Sequence, residues 1–222
     1  MKAEKIIPSL LAADFWCLEE QIRKVEGSEV RMLHFDIMDG NFVPNISMGF
    51  PVVETLRPYT KLLFDTHLMI KDPERYIKIA AEAGADMITV HAEACPHLHR
   101  TIVQIKEAGK RAGVALNPAT SLQVLDHIAN ELDTVVIMTV DPGFGGQTFL
   151  AGMLDKIREC RKLLDRKGAN VQIEVDGGIA CNTIKACFDA GADLFVAGSS
   201  VFKGDIAKNI EKLKMPIAQV TT

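Results

Sequence analysis

Short apolar runs and longer amphipathic segments alternate along the whole of this 222-residue sequence. The short runs are rich in Val, Ile and Phe and are typical of buried parallel strands, whereas the longer segments have the spacing of helices that cover one apolar face. Eight strands are predicted, at 6–10, 30–37, 61–68, 87–91, 112–117, 134–140, 171–176 and 194–197. Helices are predicted between them, at 15–26, 51–56, 73–83, 97–108, 121–131, 153–166, 183–190 and 205–213.

Glycine and proline residues mark the ends of several predicted helices. Asp72 followed by Pro73 resembles an N-cap with proline in the first helical position. The sequence Ala-Gly-Ala-Asp occurs twice, at residues 83–86 and 190–193, and in each copy the glycine stands where a helix is predicted to end. The two copies predict that the same helix-to-strand connection is used twice, although they do not amount to a sequence repeat.

The alternation of strands and helices favours a single (β/α)₈ TIM barrel, with residues 1–222 as one catalytic domain. The alternative is an open, doubly wound sheet. In a barrel the carboxyl ends of all strands meet at one mouth, where the chemistry is expected. Unusual polar residues gather at those ends and not at the amino ends, which favours the barrel. They are Ser9, His34, Asp36, His67, His91, Asn117, Asp176 and the pair Gly198-Ser199.

Composition excludes several other classes of protein. Lys and Arg number 25 against 29 Asp and Glu, so the net charge of −4 argues against a nucleic-acid-binding surface. No stretch has the length of a membrane-spanning helix, and the amino-terminal residues lack the apolar core of a signal peptide. The five cysteines form no Cys-x-x-Cys pair, which is typical of a reducing compartment. A cytoplasmic location is therefore expected.

Four side chains form a candidate metal site. His34 and Asp36 are two residues apart on a predicted strand, so they share one face, and His67 and Asp176 end the third and seventh strands. Imidazole and carboxylate ligands suit Zn²⁺, Fe²⁺, Mn²⁺ or Co²⁺, so one divalent metal ion is predicted on these four residues. The alternative is that each is an ordinary hydrogen-bonded polar residue near the rim.

Asp36 and Asp176 also predict a proton-transfer reaction. Aspartates from opposite sides of a barrel would lie above and below a bound substrate, so one could remove a proton next to a carbonyl while the other returns a proton to the opposite face. This inverts the carbon. A metal ion between them would stabilise the enediolate.

Three glycine-bearing loops after strands six, seven and eight predict a phosphate site. They are Gly143–Gly146, Gly177-Gly178 and Gly198-Ser199-Ser200. Small residues let backbone amides approach an anion, and a helix that begins after Gly198 would add its positive end. Each pair alone is equally compatible with a plain turn, but three consecutive loops favour the anion site.

Several conspicuous side chains are left out of the predicted site. Asp39 before Gly40 is interpreted as a turn residue, and Asp65 is assigned to the opposite strand face from the site and to a structural role. The others are interpreted as core filling (three methionines), as solvent-exposed or capping residues (two histidines) and as a packing residue (the tryptophan): Met38, Met69, Met138, His97, His99 and Trp16.

Six stretches of the sequence are distinctive in combination. They are residues 8–15 (PSLLAADF), 34–40 with 42–45 (HFDIMDG and FVPN), 67–69 (HLM), 142–147 (PGFGGQ), 174–179 (EVDGGI) and 196–199 (VAGS). Together they closely resemble the ribulose-5-phosphate 3-epimerase family, and the resemblance runs from about residue 6 to residue 202. It implies a metal-dependent, homo-oligomeric enzyme of the pentose phosphate pathway that interconverts D-ribulose 5-phosphate and D-xylulose 5-phosphate.

The resemblance also implies roles for individual residues. The metal ion would lie on His34, Asp36, His67 and Asp176, with Asp36 as proton acceptor and Asp176 as proton donor in one direction and exchanged roles in the other. Substrate contacts, the later ones around the phosphate, are implied for Ser9, His67, Gly143, Phe144, Gly145, Gly146, Gly177, Gly178, Gly198 and Ser199.

Asp141 departs from the family pattern, which usually has asparagine before Pro-Gly-Phe. Aspartate there resembles D-allulose-6-phosphate 3-epimerases, although those relatives often lose the paired glycines that this chain keeps. A six-carbon substrate is thus the alternative. A Schiff-base aldolase or a barrel decarboxylase would want a lysine at a strand end, and none is predicted there. A non-catalytic phosphosugar-binding protein would not need two opposed aspartates.

Overall fold

The computed structural model describes residues 5–218, and in these residues eight parallel strands close into a barrel. The strands are β1 (Ile6–Pro8), β2 (Met32–Met38), β3 (Leu63–Met69), β4 (Met87–His91), β5 (Arg111–Leu116), β6 (Thr134–Met138), β7 (Gln172–Asp176) and β8 (Leu194–Ala197). Their hydrogen-bonded order is β1-β8-β7-β6-β5-β4-β3-β2, and a parallel bridge between Ser9 and His34 joins β1 to β2. The predicted barrel is confirmed and the open sheet is wrong. The prediction of one domain over residues 1–222 extends at both ends to residues outside the described part.

Eight α-helices are found among residues 5–218. They are α1 (Leu18–Glu26), α2 (Phe50–Leu56), α3 (Ile77–Ala83), α4 (Leu98–Glu107), α5 (Met153–Lys167), α6 (Ile184–Ala190), α7 (Ser199–Phe202) and α8 (Ile206–Ala218). The predicted helices 15–26 and 73–83 each begin with a 3₁₀ turn before α1 and α3. Asp72 precedes the second turn but makes no side-chain cap, so that part of the N-cap prediction is wrong. No helix within this range is long and apolar enough to cross a membrane.

The helix predicted at 121–131 is wrong. Two 3₁₀ turns, Leu122–Leu125 and Ala129–Glu131, connect β5 to β6 instead. The backbone oxygen of Asp126 accepts a hydrogen bond from Lys167 Nζ at 2.6 Å. That contact engages a carbonyl which an α-helix would pair with the amide four residues later.

The side chains of strand β2 alternate between the barrel interior and the layer between sheet and helices. Every residue of β2 is buried, because one set of alternate side chains points into the barrel and the other packs under the helices. Leu33, Phe35 and Ile37 belong to the large apolar cluster between sheet and helices. Met32 belongs to a smaller apolar cluster with residues of β1, β4 and β8. His34 and Asp36 share their face with Met32, so they point into the barrel.

The two Ala-Gly-Ala-Asp segments form the same connection, as predicted. Gly84 ends α3 with φ of 110°, and Gly191 ends α6 with φ of 109°. In the first connection, Asp86 Oδ2 accepts hydrogen bonds from the backbone of Phe64 at 2.8 Å and from Arg57 Nη1 at 2.9 Å. In the second connection, Asp193 Oδ2 accepts hydrogen bonds from the backbone amide of Ile173 at 2.9 Å and from Arg161 Nη1 at 3.1 Å. Each aspartate thus ties a strand to its neighbour and to a helix.

Candidate active site

A cavity of about 530 Å³ opens at the carboxyl ends of the strands. It is lined by most of the residues that the sequence predicted as substrate contacts, whereas His34 and His67 are fully buried beneath it. The predicted residues that line it are Ser9, Asp36, Gly143, Phe144, Gly145, Gly146, Asp176, Gly177, Gly178, Gly198 and Ser199. The barrel topology therefore brings together residues of β2 and β7 and of the segments that follow β1, β6, β7 and β8.

The four predicted metal ligands converge at the floor of this cavity. His34 Nε2 lies 3.4 Å from Asp36 Oδ1 and 3.8 Å from Asp176 Oδ2. His67 Nδ1 lies 3.8 Å from Asp36 Oδ1 and 3.5 Å from Asp176 Oδ2. A tetrahedral ion with bonds of about 2.0–2.1 Å would place its ligand atoms about 3.4 Å apart. The spacing of the four atoms fits one small divalent ion.

The hydrogen bonding of the two histidines supports the same conclusion. His34 Nε2 and His67 Nδ1 are buried and have no hydrogen-bond partner among the described residues. Both atoms face the aspartates. The opposite ring nitrogens are engaged, because His34 Nδ1 lies 2.6 Å from Asp65 Oδ2 and His67 Nε2 lies 2.9 Å from His91 Nε2. Each imidazole is therefore held with one free nitrogen toward the cluster, which suits a metal ligand.

Asp36 is held as a carboxylate. Burial would raise its pKa, but the neighbouring His34 and His67 and the hydroxyl of Ser9 outweigh burial and hold the pKa at about 2. Ser9 Oγ donates to Asp36 Oδ2 at 2.5 Å. Burial would lower the pKa of His34, yet Asp36 and Asp65 raise it well above its ordinary value. The cluster thus has an excess of negative charge that attracts a cation.

Asp65 is not on the face opposite to the site, so that prediction is wrong. Residues two apart on a strand share a face, and Asp65 points into the barrel with His67. Its side chain is fully buried against His34. Glu174, which the sequence analysis missed, shares the inward face of β7 with Asp176 and lies 3.7 Å from His34 Nδ1. Burial and the adjacent Asp65 raise the pKa of Glu174 well above its ordinary value.

His91 ends β4 as predicted, whereas Asn117 directly follows the end of β5 at Leu116, and neither residue lines the cavity. His91 is buried behind His67, and the two ring centroids are 4.9 Å apart. His91 Nδ1 lies 3.1 Å from Glu93 Oε2. Asn117 contributes its backbone amide, which donates to Glu93 Oε1 at 2.8 Å. His91, Glu93 and Asn117 therefore form a hydrogen-bonded group next to His67, outside the cavity lining.

The glycine loops form part of the cavity lining. Gly177 has φ of 116°, and a Cβ there would lie 2.4 Å from Val140 Cγ2, so only glycine fits. The short helix α7 begins directly after Gly198, which lines the cavity with Ser199. Lys203, which the sequence analysis missed, is the only cationic side chain among the described residues that line the cavity.

The side chains that were left out have mixed outcomes. Asp39 is a turn residue as interpreted, since its carboxylate accepts from the amides of Asn41 and Phe42. His97 and His99 are exposed, as interpreted. Trp16 does not pack, because its side chain is 97% exposed. The three methionines are buried but also line the cavity, so they are more than core filling: Met38, Met69 and Met138.

Comparison with known proteins gives a consistent result over nearly the whole chain. The model of the ribulose-phosphate 3 epimerase family matches residues 5–202. The ribulose-phosphate 3-epimerase of Bacillus subtilis (strain 168) is 51% identical over 212 residues, which cover 95% of this chain and 98% of that protein. The protein of the same name from Synechocystis sp. is 45% identical over 223 residues, which cover 98% and 97%.

Solved structures of lower identity share the fold. The 3-keto-L-gulonate-6-phosphate decarboxylase of Vibrio cholerae superposes with a TM-score of 0.70 at 17% identity and covers 98% of this chain and 99% of that chain. At this identity the similarity concerns the barrel alone.

Proposed function

The chain belongs to the ribulose-phosphate 3 epimerase family, and from that premise we propose that it interconverts D-ribulose 5-phosphate and D-xylulose 5-phosphate by inverting C3. The observation that carries the proposal is the pair of aspartates, Asp36 on β2 and Asp176 on β7, whose carboxylates meet the same two histidines at the cavity floor. Binding alone requires no such pair, whereas inversion requires a base and an acid on opposite faces of one carbon.

The proposed cofactor is one divalent metal ion, Zn²⁺, Fe²⁺, Mn²⁺ or Co²⁺, held by His34, Asp36, His67 and Asp176. The two buried, unpartnered histidine nitrogens and the interatomic spacing of 3.4–3.8 Å support these ligands. When bound, the ion supplies positive charge next to the substrate oxygens on which negative charge develops.

Asp36 is the proposed base for one epimer. Its low pKa, about 2, means that it is ionised at neutral pH, and the Ser9 hydroxyl fixes one of its oxygens. The C3–H bond breaks as Asp36 takes the proton, and the electron pair forms the C2–C3 double bond of an enediolate. Asp176 in its acid form then returns a proton to the other face of C3. In the reverse reaction the two residues exchange roles.

The phosphate is proposed to lie on the glycine loops. Backbone amides at Gly146, Gly178 and Ser199 would bind its oxygens, since small residues allow a close approach. Lys203 supports this position, because its cationic side chain lines the same cavity. Phe144, which is 53% exposed on the β6 loop, would cover the substrate.

The six-carbon alternative is not favoured. Asp141, the residue that suggested it, is exposed and its side chain is not part of the cavity lining. The relatives of highest identity quoted above have names of pentulose-phosphate epimerases. We propose that the enzyme serves the pentose phosphate pathway in the cytoplasm as a homo-oligomer.

The proposal is tested by proton exchange at C3 in heavy water. Ribulose 5-phosphate and allulose 6-phosphate are followed side by side by NMR, with the metal-loaded protein and after chelation. We expect deuterium to enter C3 of the pentulose with formation of xylulose 5-phosphate, and chelation to slow both processes together.

Each contrary result has a defined meaning. Faster exchange of allulose 6-phosphate would overturn the substrate assignment but not the reaction. Full activity after complete removal of metal, verified by elemental analysis, would overturn the cofactor. If neither sugar exchanges after metal is restored, the epimerase proposal is wrong.

A further inference from the structure

A chain of hydrogen bonds leads from His67 away from the cavity toward the protein surface. His67 Nε2 lies 2.9 Å from His91 Nε2, and His91 Nδ1 lies 3.1 Å from Glu93 Oε2. His67 and His91 are fully buried, whereas the side chain of Glu93 is 22% exposed. Phe42 packs against the His91 ring with centroids 4.7 Å apart. The position of each ring is therefore fixed, and only the placement of hydrogens is open.

Glu93 determines that placement because it is a carboxylate that can only accept hydrogen bonds. Its other oxygen, Oε1, accepts from the backbone amide of Asn117 at 2.8 Å and from the hydroxyl of Thr120. Burial would raise the pKa of Glu93, but the hydrogen bonds from His91, Thr120 and Asn117 lower it to about 2. The carboxylate is therefore ionised at neutral pH.

The ionised carboxylate of Glu93 determines the direction of every hydrogen bond in the chain. Because Glu93 only accepts, His91 must donate from Nδ1, and the neutral ring then accepts at Nε2. His67 must therefore donate from Nε2, which leaves its Nδ1 without a hydrogen. That atom lies 3.5 Å from Asp176 Oδ2 and 3.8 Å from Asp36 Oδ1, in the proposed metal site.

We propose that Glu93 is a positioning residue that acts through His91 to keep Nδ1 of His67 unprotonated and directed at the metal ion. The inference rests on the proposed function in one respect, namely that a divalent ion binds at the four ligands. Glu93 itself touches neither the ion nor the substrate. Glu93 is thus a fifth carboxylate on which the site depends, after Asp36, Asp65, Glu174 and Asp176. None of the sequence motifs includes it.

Replacement of Glu93 by glutamine should reverse the direction of each hydrogen bond in the chain, so that donors become acceptors. The backbone amide of Asn117 can only donate, so the oxygen of the new side chain stays on Asn117 and its NH₂ group faces His91. His91 Nδ1 must then accept, its Nε2 donates to His67, and the hydrogen of His67 moves to Nδ1. An entering metal ion would have to displace that hydrogen. Replacement by alanine removes the constraint but does not reverse it, since water can satisfy His91 either way.

The experiment measures Zn²⁺ affinity by competition with a chelator for wild type, Glu93→Gln and Glu93→Ala. We expect the glutamine variant to lose about 10–100-fold in affinity and the alanine variant to lose less. The matched control is Glu131→Gln, because Glu131 also pairs with a histidine, His99, at 3.2 Å, but on the surface. The control should bind Zn²⁺ like wild type. Thermal unfolding of the metal-free proteins verifies that each variant is folded.

A second readout follows the histidine itself. In the Zn²⁺-loaded wild type, ¹⁵N NMR should show His67 with hydrogen on Nε2 and none on Nδ1. If Glu93 had only a structural role, Glu93→Ala, which removes more of the side chain, should weaken Zn²⁺ binding more than Glu93→Gln does. An alanine variant that binds Zn²⁺ as weakly as the glutamine variant, or a hydrogen on Nδ1 in wild type, would overturn the inference. Failure of wild type to bind any metal would instead overturn the proposed cofactor, and the inference with it.

Discussion

At the scale of single residues, the two aspartates of the site differ in environment although they are the same side chain. Asp36 is 4% exposed and accepts a hydrogen bond from Ser9, whereas the Asp176 side chain is 14% exposed and lies next to the paired glycines of the β7 loop. Asp36 is thus the more firmly fixed of the two proposed bases. Because the proposed proton transfer runs through both aspartates, neither should substitute for the other.

We expect Asp36→Asn and Asp176→Asn each to lower kcat by at least about 10²–10⁴-fold, because each removes a general acid–base group. The amide has nearly the same volume, so the fold should persist. Each variant keeps one base and should exchange deuterium into only the epimer whose C3 hydrogen faces it. The measurement is turnover together with NMR of C3 for each sugar separately.

Asp141→Asn is the matched control, since Asp141 is an exposed aspartate on the loop after β6. It should leave turnover of both sugars unchanged. Wild-type kcat in either site variant, after a check that metal is bound, would contradict the two-base mechanism.

At the scale of secondary structure elements, the sequence was sufficient for most of the barrel. Each strand is a short apolar run and each helix an amphipathic stretch, so the eight strands and seven of the helices were predictable from periodicity. The segment 121–131 has the composition of a helix, but the contact of Lys167 with the Asp126 carbonyl is a tertiary one that no local pattern contains. The inward direction of Asp65 was predictable, since it shares its parity with His67.

The repeated helix-to-strand connection gives a prediction at this scale. Gly191 ends α6 with φ of 109°, and a Cβ there would lie 3.0 Å from Cβ of Arg161. We expect Gly191→Ala to lower the free energy of unfolding by about 1–2 kcal/mol, because a side chain in the left-handed region is strained. Urea unfolding measures the change. Catalytic activity of the folded variant should be retained, since Gly191 is at the opposite end of β8 from the cavity.

Gly152 is the matched control, because it directly precedes α5 with φ of −60° and a Cβ there would have no atom within 4 Å. Gly152→Ala should leave stability unchanged or raise it by about 0.4–1 kcal/mol through the unfolded state. Equal destabilisation by the two substitutions would show that the left-handed conformation is not the cause.

At the scale of the whole molecule, the barrel gathers residues that are distant in sequence. The convergence of the four proposed metal ligands was predictable because strand ends of a barrel meet at one mouth, whatever the loops between them do. The carboxylate of Glu174 was not predictable in this way, since it lies near His34 only across the barrel interior, from β7 to β2. No fixed spacing relates such residues along the chain. The seam between β1 and β2, where Ser9 meets His34, is likewise a product of closure.

The reactivity of three buried thiols can show whether the barrel unfolds as a single cooperative unit. Burial raises the pKa of Cys95, Cys160 and Cys187 from 9.0 to about 12 each, and the three lie in different βα units. Cys181 is exposed. At pH 8.5, we expect an alkylating reagent to modify Cys181 at once and the three buried thiols only as fast as the whole barrel opens. Peptide mass spectrometry at rising urea concentration measures the four rates.

The same thiols fix the sign of a pH effect on stability. In the unfolded chain they lose their protons near pH 9, whereas in the folded barrel they keep them to about pH 12, so the folded state binds more protons in that window. The free energy of unfolding should therefore fall as pH rises from 9 to 12, by up to about 1.4 kcal/mol per pH unit for each thiol. Lysine and tyrosine titrate there too, so the slope is compared between wild type and Cys160→Ala, which should show a shallower fall. Cys181→Ala, with its exposed thiol, should keep the wild-type slope. Identical slopes in all three proteins would show that the buried thiols do not couple to folding.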